Sequence, residues 1–111
     1  MGAAEPTVSK QDIVLSERGQ PTLALQLQRP ASLAAGEVVY VHGGTFGADL
    51  SIFYRFDGRS WADALNDIGF AVWGFDFPGY GRSERYPPDL ERPAGRIGDT
   101  IAHLRRVVAA V

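Results

Sequence analysis

Hydrophobic and polar positions follow three rhythms along this chain, and each predicts a different element. Between residues 22 and 28, Leu23, Leu25 and Leu27 alternate with Ala24, Gln26 and Gln28, the period of two expected of a half-buried strand. Residues 12–17 form a weaker strand candidate. Arg18, Gly19, Gln20 and Pro21 lie between the two with the chemistry of a turn, so a β-hairpin is expected. Residues 37–41 (Glu-Val-Val-Tyr-Val) are continuously apolar after Glu37, as suits a strand covered on both faces in a parallel sheet. Residues 70–77 repeat that character. Between them Ser60 has the position of a helix N-cap, with Asp63 at N3 in place of the preferred Glu. Trp61, Leu65 and Ile68 then recur at helical spacing, and Gly69 falls where a C-terminal cap belongs.

Residues 37–77 therefore read as strand, helix, strand, and parallel strands joined this way cross over right-handed almost without exception. The stretch 45–59 is too long for a plain connection and predicts a functional loop or a short helix. Residues 78–95 read as loop. Over 96–111, Ile97, Ile101, Leu104, Val108 and Val111 share one stripe while Arg96, Asp99, His103 and Arg106 lie opposite, the pattern of an amphipathic helix. The expected class is α/β: a hairpin, then strand–helix–strand–helix.

At 111 residues the chain fits one small domain, or a piece of a larger one. A net charge of −2 gives no field to recruit nucleic acid or an anionic membrane, so neither is expected as a partner. The absence of cysteine excludes disulfides, thiol nucleophiles and thiolate metal sites, and suits a reducing compartment. Residues 1–11 read as a flexible terminus ahead of a domain over 12–111. They lack the basic start and apolar run of a signal peptide, and no apolar stretch is long enough to span a membrane. A soluble, cytoplasmic protein is expected. Two histidines with no nearby carboxylate pair give no metal site, and no cofactor is expected.

The chemistry begins where the 37–41 strand runs into His42, Gly43, Gly44 and Thr45. Backbone amides at the carboxyl end of a parallel strand lie where ligands of such sheets bind. Two glycines allow close approach and φ > 0. Aimed at a developing alkoxide, such amides form an oxyanion hole, and losing one donor from such a hole costs roughly 3 kcal/mol of transition-state stabilisation. A simple glycine turn, letting a buried strand exit, explains the same residues. Phe46, Phe53, Tyr54 and Phe56 suit either a pocket for an apolar substrate or packing within their own loop. Asp76 has two readings as well: a contact to substrate, or a carboxylate accepting N–H bonds from the Pro78-Gly79 turn. His103, on the polar side of the last helix, reads as a solvated residue.

Together, Val38 to Gly47 (VVYVHGGTFG), the capped helix and Gly69 to Ser83 (GFAVWGFDFPGYGRS) resemble the third strand, first helix and fourth strand of α/β-hydrolases. The fourth strand of that family often ends in Asp-x-x-Gly-x-Gly-x-Ser, here Asp76, Gly79, Gly81 and Ser83. With the hairpin as the first two strands, the resemblance covers about residues 12–111. It implies Gly44 first and Thr45 second as amide donors, with His42 and Gly43 supporting the loop, and a small-molecule substrate, for which Phe46, Phe53, Tyr54 and Asp76 stay candidate contacts on the two readings given above. The family's nucleophile occupies a sharp strand-to-helix turn after the fifth strand, and its acid and base come later. Nothing here matches those parts. Ser60 and Ser83 follow Gly-Arg, but read as cap and turn residues.

The expected function is thus the amino-terminal part of a hydrolase of ester, amide or related bonds, inactive alone. Two alternatives stand beside it. One is a nucleotide-binding domain whose glycines cradle phosphate and whose Asp76 holds a ribose, although the glycine spacing and the late helix start fit it poorly. The other is a non-catalytic module of the same fold. In the family the third strand is flanked by the fourth and fifth. Without the fifth, residues 38–41 form an open apolar edge, inviting completion by a second chain or self-association.

Overall fold

The computed structural model describes residues 9–32, 35–86 and 97–111. Strands β1 (Ser9–Leu15) and β2 (Leu23–Arg29) form the expected antiparallel hairpin, with Ile13 opposite Leu25 and Gly19 at φ +79° in the turn. β1 starts ahead of Asp12, so part of the supposed loose terminus is strand; residues 1–8 lie outside the described residues. β3 (Gly36–Tyr40) and β4 (Phe70–Phe75) are parallel, and α1 (Trp61–Asp67) connects them. The sheet runs β1-β2-β4-β3, which puts β2 and β4 inside and β1 and β3 at the edges. A 3-10 turn, Ala48–Leu50, interrupts the long segment before α1, and α2 (Ile97–Ala110) follows β4.

The sheet carries apolar packing on both faces. On one, Leu23, Leu25, Phe75 and Phe77 pack with Val107 of α2. On the other, Ala48, Ile52, Phe53 and Val72 pack with Ala62 of α1. This second layer corrects the half-buried reading of β2. Gln26 and Gln28 are buried too, since Gln26 Nε2 donates to Asp49 (2.8 Å) and Gln28 Nε2 to Asp63 and Asn66 (2.8 and 2.7 Å).

Both helices correct the sequence reading in one respect. α1 has its expected capping box: the Asp63 amide donates to Ser60 Oγ and the Ser60 amide to Asp63 Oδ2, each at 2.9 Å, and Gly69 takes φ +93° beyond its end. Yet the side of α1 that meets the sheet carries Ala62 and Asn66, with Leu65 half-buried, while Trp61 is 75% exposed. Asn66 accounts for this orientation, since its Nδ2 donates to the backbone oxygens of Gln28 (3.0 Å) and Phe70 (2.8 Å). α2 is turned likewise. Its buried residues are His103 and Val107, Leu104 is partly covered, and Ile97, Ile101, Val108 and Val111 are exposed.

His103 is therefore only 4% exposed and is not the solvated residue its pattern suggested. The Arg106 guanidinium donates to its Nδ1 at 3.0 Å, which leaves the proton on Nε2 to reach the Tyr86 hydroxyl at 3.2 Å. Arg106 also pairs with Glu17 at 2.9 Å, tying α2 to the hairpin. Burial, reinforced by the Arg106 charge and opposed by Asp99, holds the His103 pKa below its ordinary value.

Candidate functional site

β3 ends at Tyr40, and Val41 leads into His42, Gly43, Gly44, Thr45, Phe46 and Gly47 before the 3-10 turn begins. His42 braces this loop against the segment following β4. It is buried, its Nε2 accepts the Phe77 amide at 2.9 Å, and its Nδ1–H donates to the Gly43 carbonyl at 2.6 Å. Its ring packs edge-on to Phe77 (centroids 5.0 Å apart) and beside Tyr80 (4.8 Å). With both nitrogens committed to backbone partners, the imidazole has no free lone pair with which to act as a base. The Tyr80 hydroxyl adds a third tie, donating to the Gly44 carbonyl at 2.9 Å.

Asp76 holds the far end of the same loop. It is 3% exposed; Oδ1 accepts the Ala48 amide at 2.8 Å and Oδ2 the Arg82 amide at 3.1 Å. One carboxylate thus joins the loop after β3 to the turn after β4. Gly47 and Gly81 make room for it, since a Cβ on either would collide with an Asp76 oxygen, and Gly81 also sits at φ +47°. Ser83 completes the joint: its buried hydroxyl donates to the Asp76 carbonyl and accepts the Ala24 amide at 2.8 Å. Arg82 reaches outward to Asp49 at 2.9 Å and Asp12 at 3.3 Å.

The amides of Gly43, Gly44, Thr45, Phe46 and Gly47, the two implied donors among them, donate to no protein acceptor among the described residues. Two hollows flank them. One of about 620 Å³ is lined by Thr45, Phe46, Gly47, Asp76, Tyr80 and Gly81, among others. The second, about 240 Å³, is lined by His42, Gly43, Gly44, Phe77 and Thr100, among others. Neither Gly43 nor Gly44 adopts positive φ, and a Cβ on either would meet nothing within 4 Å. Their conformational freedom is therefore not what the loop uses; what they contribute is open space above the main chain.

Of the aromatic candidates, Phe46 lines the larger hollow and Tyr54 is exposed. Phe53 is a correction. It is 6% exposed, packs in the α1-side cluster with its ring over Gly74, and carries Lys10 Nζ at 4.8 Å from its centroid. Asp76 rims the larger hollow, but both its oxygens are taken by amides, which favours the turn-holding role over a substrate or ribose contact. Ser60 and Ser83 are spent on a helix cap and on the Asp76 joint. Gly47, Tyr80 and Arg82 escaped sequence reasoning as parts of the site, because only the folded approach of two loops makes them neighbours. No group of His, Asp and Glu among the described residues is arranged to hold a metal ion, and no helix of the described residues is long and apolar enough to cross a membrane.

Comparison with known proteins bears on this geometry. A family model described as alpha/beta hydrolase fold matches residues 37–111, from β3 through α2. No curated protein matches the chain. Among solved structures it is similar to a predicted CIB-like hydrolase from Thermoplasma acidophilum, with a TM-score of 0.58 and 20% sequence identity. That match covers 94% of this chain and 46% of the other, so the chain spans about half the length of that structure. At this identity the likeness concerns fold.

Proposed function

The chain belongs to the alpha/beta hydrolase fold family, and from that premise we propose that it supplies the oxyanion-stabilising segment of a hydrolase. The single observation carrying this reading is the run of unpartnered amides from Gly43 to Gly47, beside two hollows, on a loop held at one end by His42 and at the other by Asp76, with the family resemblance choosing Gly44 and Thr45 among them. Catalysis of this kind rewards donors fixed before the reaction begins. As a nucleophile attacks an ester, amide or related carbonyl carbon, the π electrons move onto oxygen. The resulting alkoxide accepts the two N–H groups. Phe46 lines the hollow where an apolar part of a small-molecule substrate would rest. Nucleophile and base come from sequence outside these 111 residues, because His42, Ser60 and Ser83 are all committed elsewhere.

Two measurements test this. An aryl phosphonate anion, which resembles the charged intermediate, titrated into labelled protein is expected to shift the Gly44 and Thr45 amide resonances most. Thr45→Pro removes one donor and should abolish the response. Shifts centred elsewhere, or unchanged in that variant, would overturn the assignment. The chain alone is expected to hydrolyse chromogenic short-chain esters no faster than background. Turnover lost in Ser60→Ala or Ser83→Ala would place the nucleophile inside the chain and sink that part of the proposal.

A further inference from the structure

Glycine does not set the orientation of the peptides beside it, because without a Cβ many backbone conformations cost little. A loop holding Gly43, Gly44 and Gly47 must therefore aim its amides by other means. In a planar trans peptide the carbonyl of one residue lies opposite the N–H of the next, so tying down the oxygen also aims the hydrogen. No described peptide bond is cis. The peptides of this loop are of three kinds. The one joining Gly47 to Ala48 is bonded at both ends: its oxygen accepts the Ser51 hydroxyl at 2.7 Å, and its N–H goes to Asp76 at 2.8 Å. Those carrying the N–H groups of Gly43, Phe46 and Gly47 are bonded at neither end among the described residues. Those carrying the N–H groups of Gly44 and Thr45 are held by the oxygen and free at the hydrogen. His42 Nδ1 holds the first through the Gly43 carbonyl at 2.6 Å, and the Tyr80 hydroxyl holds the second through the Gly44 carbonyl at 2.9 Å.

We propose that Tyr80 is a positioning residue of the oxyanion site, its hydroxyl aiming the Thr45 N–H by holding the Gly44 carbonyl. The assignment rests on the oxyanion reading and deepens it, since the two ties pick the same pair of amides that the family resemblance picks. The anchor is itself well fixed. The Tyr80 amide donates to the Phe77 carbonyl at 3.0 Å, and the Tyr80 carbonyl accepts the Ser83 amide at 3.1 Å. Its ring lies 4.8 Å from that of His42 and packs against the cluster of Phe75 and Phe77. His42 accepts the Phe77 amide, so both ties lead back to the turn after β4. An alkoxide bound by both N–H groups needs them held at a fixed separation before the reaction begins, and one shared turn supplies it. The ring of Tyr80 serves packing; only its hydroxyl can hold an oxygen.

Tyr80→Phe keeps the ring and removes the tie. Relaxation of the isotope-labelled chain reports the order of each N–H vector. In the unaltered chain Gly44 and Thr45 should both lie near the rigid value of about 0.85. In the variant Thr45 should fall below about 0.6, while Gly44, still held by His42, keeps its order. The Kd of the aryl phosphonate should rise about three- to tenfold, in proportion to the time the Thr45 N–H spends turned away. A residue that only packs would move neither amide or loosen both. Unchanged order at Thr45, equal loosening at Gly44, or an unaltered Kd beside a loosened Thr45 would each overturn the proposal, with circular dichroism verifying that the variant is folded. A phosphonate that shifts neither amide in the unaltered chain would overturn the oxyanion reading and the Tyr80 role with it, so the two failures are told apart.

Discussion

A methyl group on Gly81 has nowhere to go: it would meet the Asp76 carboxylate, on a backbone already in the left-handed region. At Gly43 the same methyl group meets nothing, and φ is not positive. Two glycines in one site are therefore expected to differ sharply. Gly81→Ala should cost about 1–3 kcal/mol in urea unfolding, from strain and a displaced buried carboxylate, whereas Gly43→Ala should stay within about 0.5 kcal/mol. Equal losses at the two positions would refute the Asp76 joint. The contrast also marks how far sequence reaches at this scale. The His-Gly-Gly run and the Asp-x-x-Gly-x-Gly spacing pointed to the candidate site, and Asp76 does accept backbone N–H bonds, but from Ala48 and Arg82 and not from the Pro78-Gly79 turn, whose Gly79 amide goes to Glu84. The role of Gly47 had no local signal, because the oxygen it accommodates belongs to a residue distant in sequence.

At the scale of elements, the strands, the hairpin, the α1 cap and the parallel β3–β4 pair were all legible, each being specified by short-range pattern or turn chemistry. The orientation of the helices was not. An apolar stripe predicts the buried side only when apolar packing is what docks the helix. Here polar contacts help to dock both: Asn66 and Asp63 to Gln28 for α1, Arg106 to Glu17 and His103 to Tyr86 for α2. These docks carry a pH signature. Burial works against ionisation of Asp63, but hydrogen bonds from Arg55, the Ser60 amide and Gln28 outweigh it and bring its pKa to about 2, below the ordinary 3.8. Its contribution to stability is present above pH 3.8 and lost as pH falls toward 2. His103 is depressed from 6.5 by burial and by Arg106, so its contribution is present above pH 6.5 and lost as pH falls through its folded value. Melting temperature against pH should therefore fall in two stages on acidification. His103→Gln should remove the first stage and Asp63→Asn the second. A first stage that survives in His103→Gln would show that another group titrates there.

For the whole molecule, the sequence predicted the strand of residues 37–41 beside that of residues 70–77, and β3 does pair with β4 in the four-stranded sheet of the described residues. What it did not reveal was how much apolar surface both helices would leave exposed, since that follows from their orientation and not from their composition. The sheet also keeps two packed clusters on opposite faces, with Ala48 in one and Tyr80 set against the other. Asp76 accepts an amide from each of the two loops, Ala48 through one oxygen and Arg82 through the other. A carboxylate shared in this way makes the two loops keep time. Neither amide can be released alone without leaving half of a buried charge unpaired, so in deuterated solvent both should exchange at one common rate, while the amides of Gly44 and Thr45, with no acceptor among the described residues, exchange far sooner.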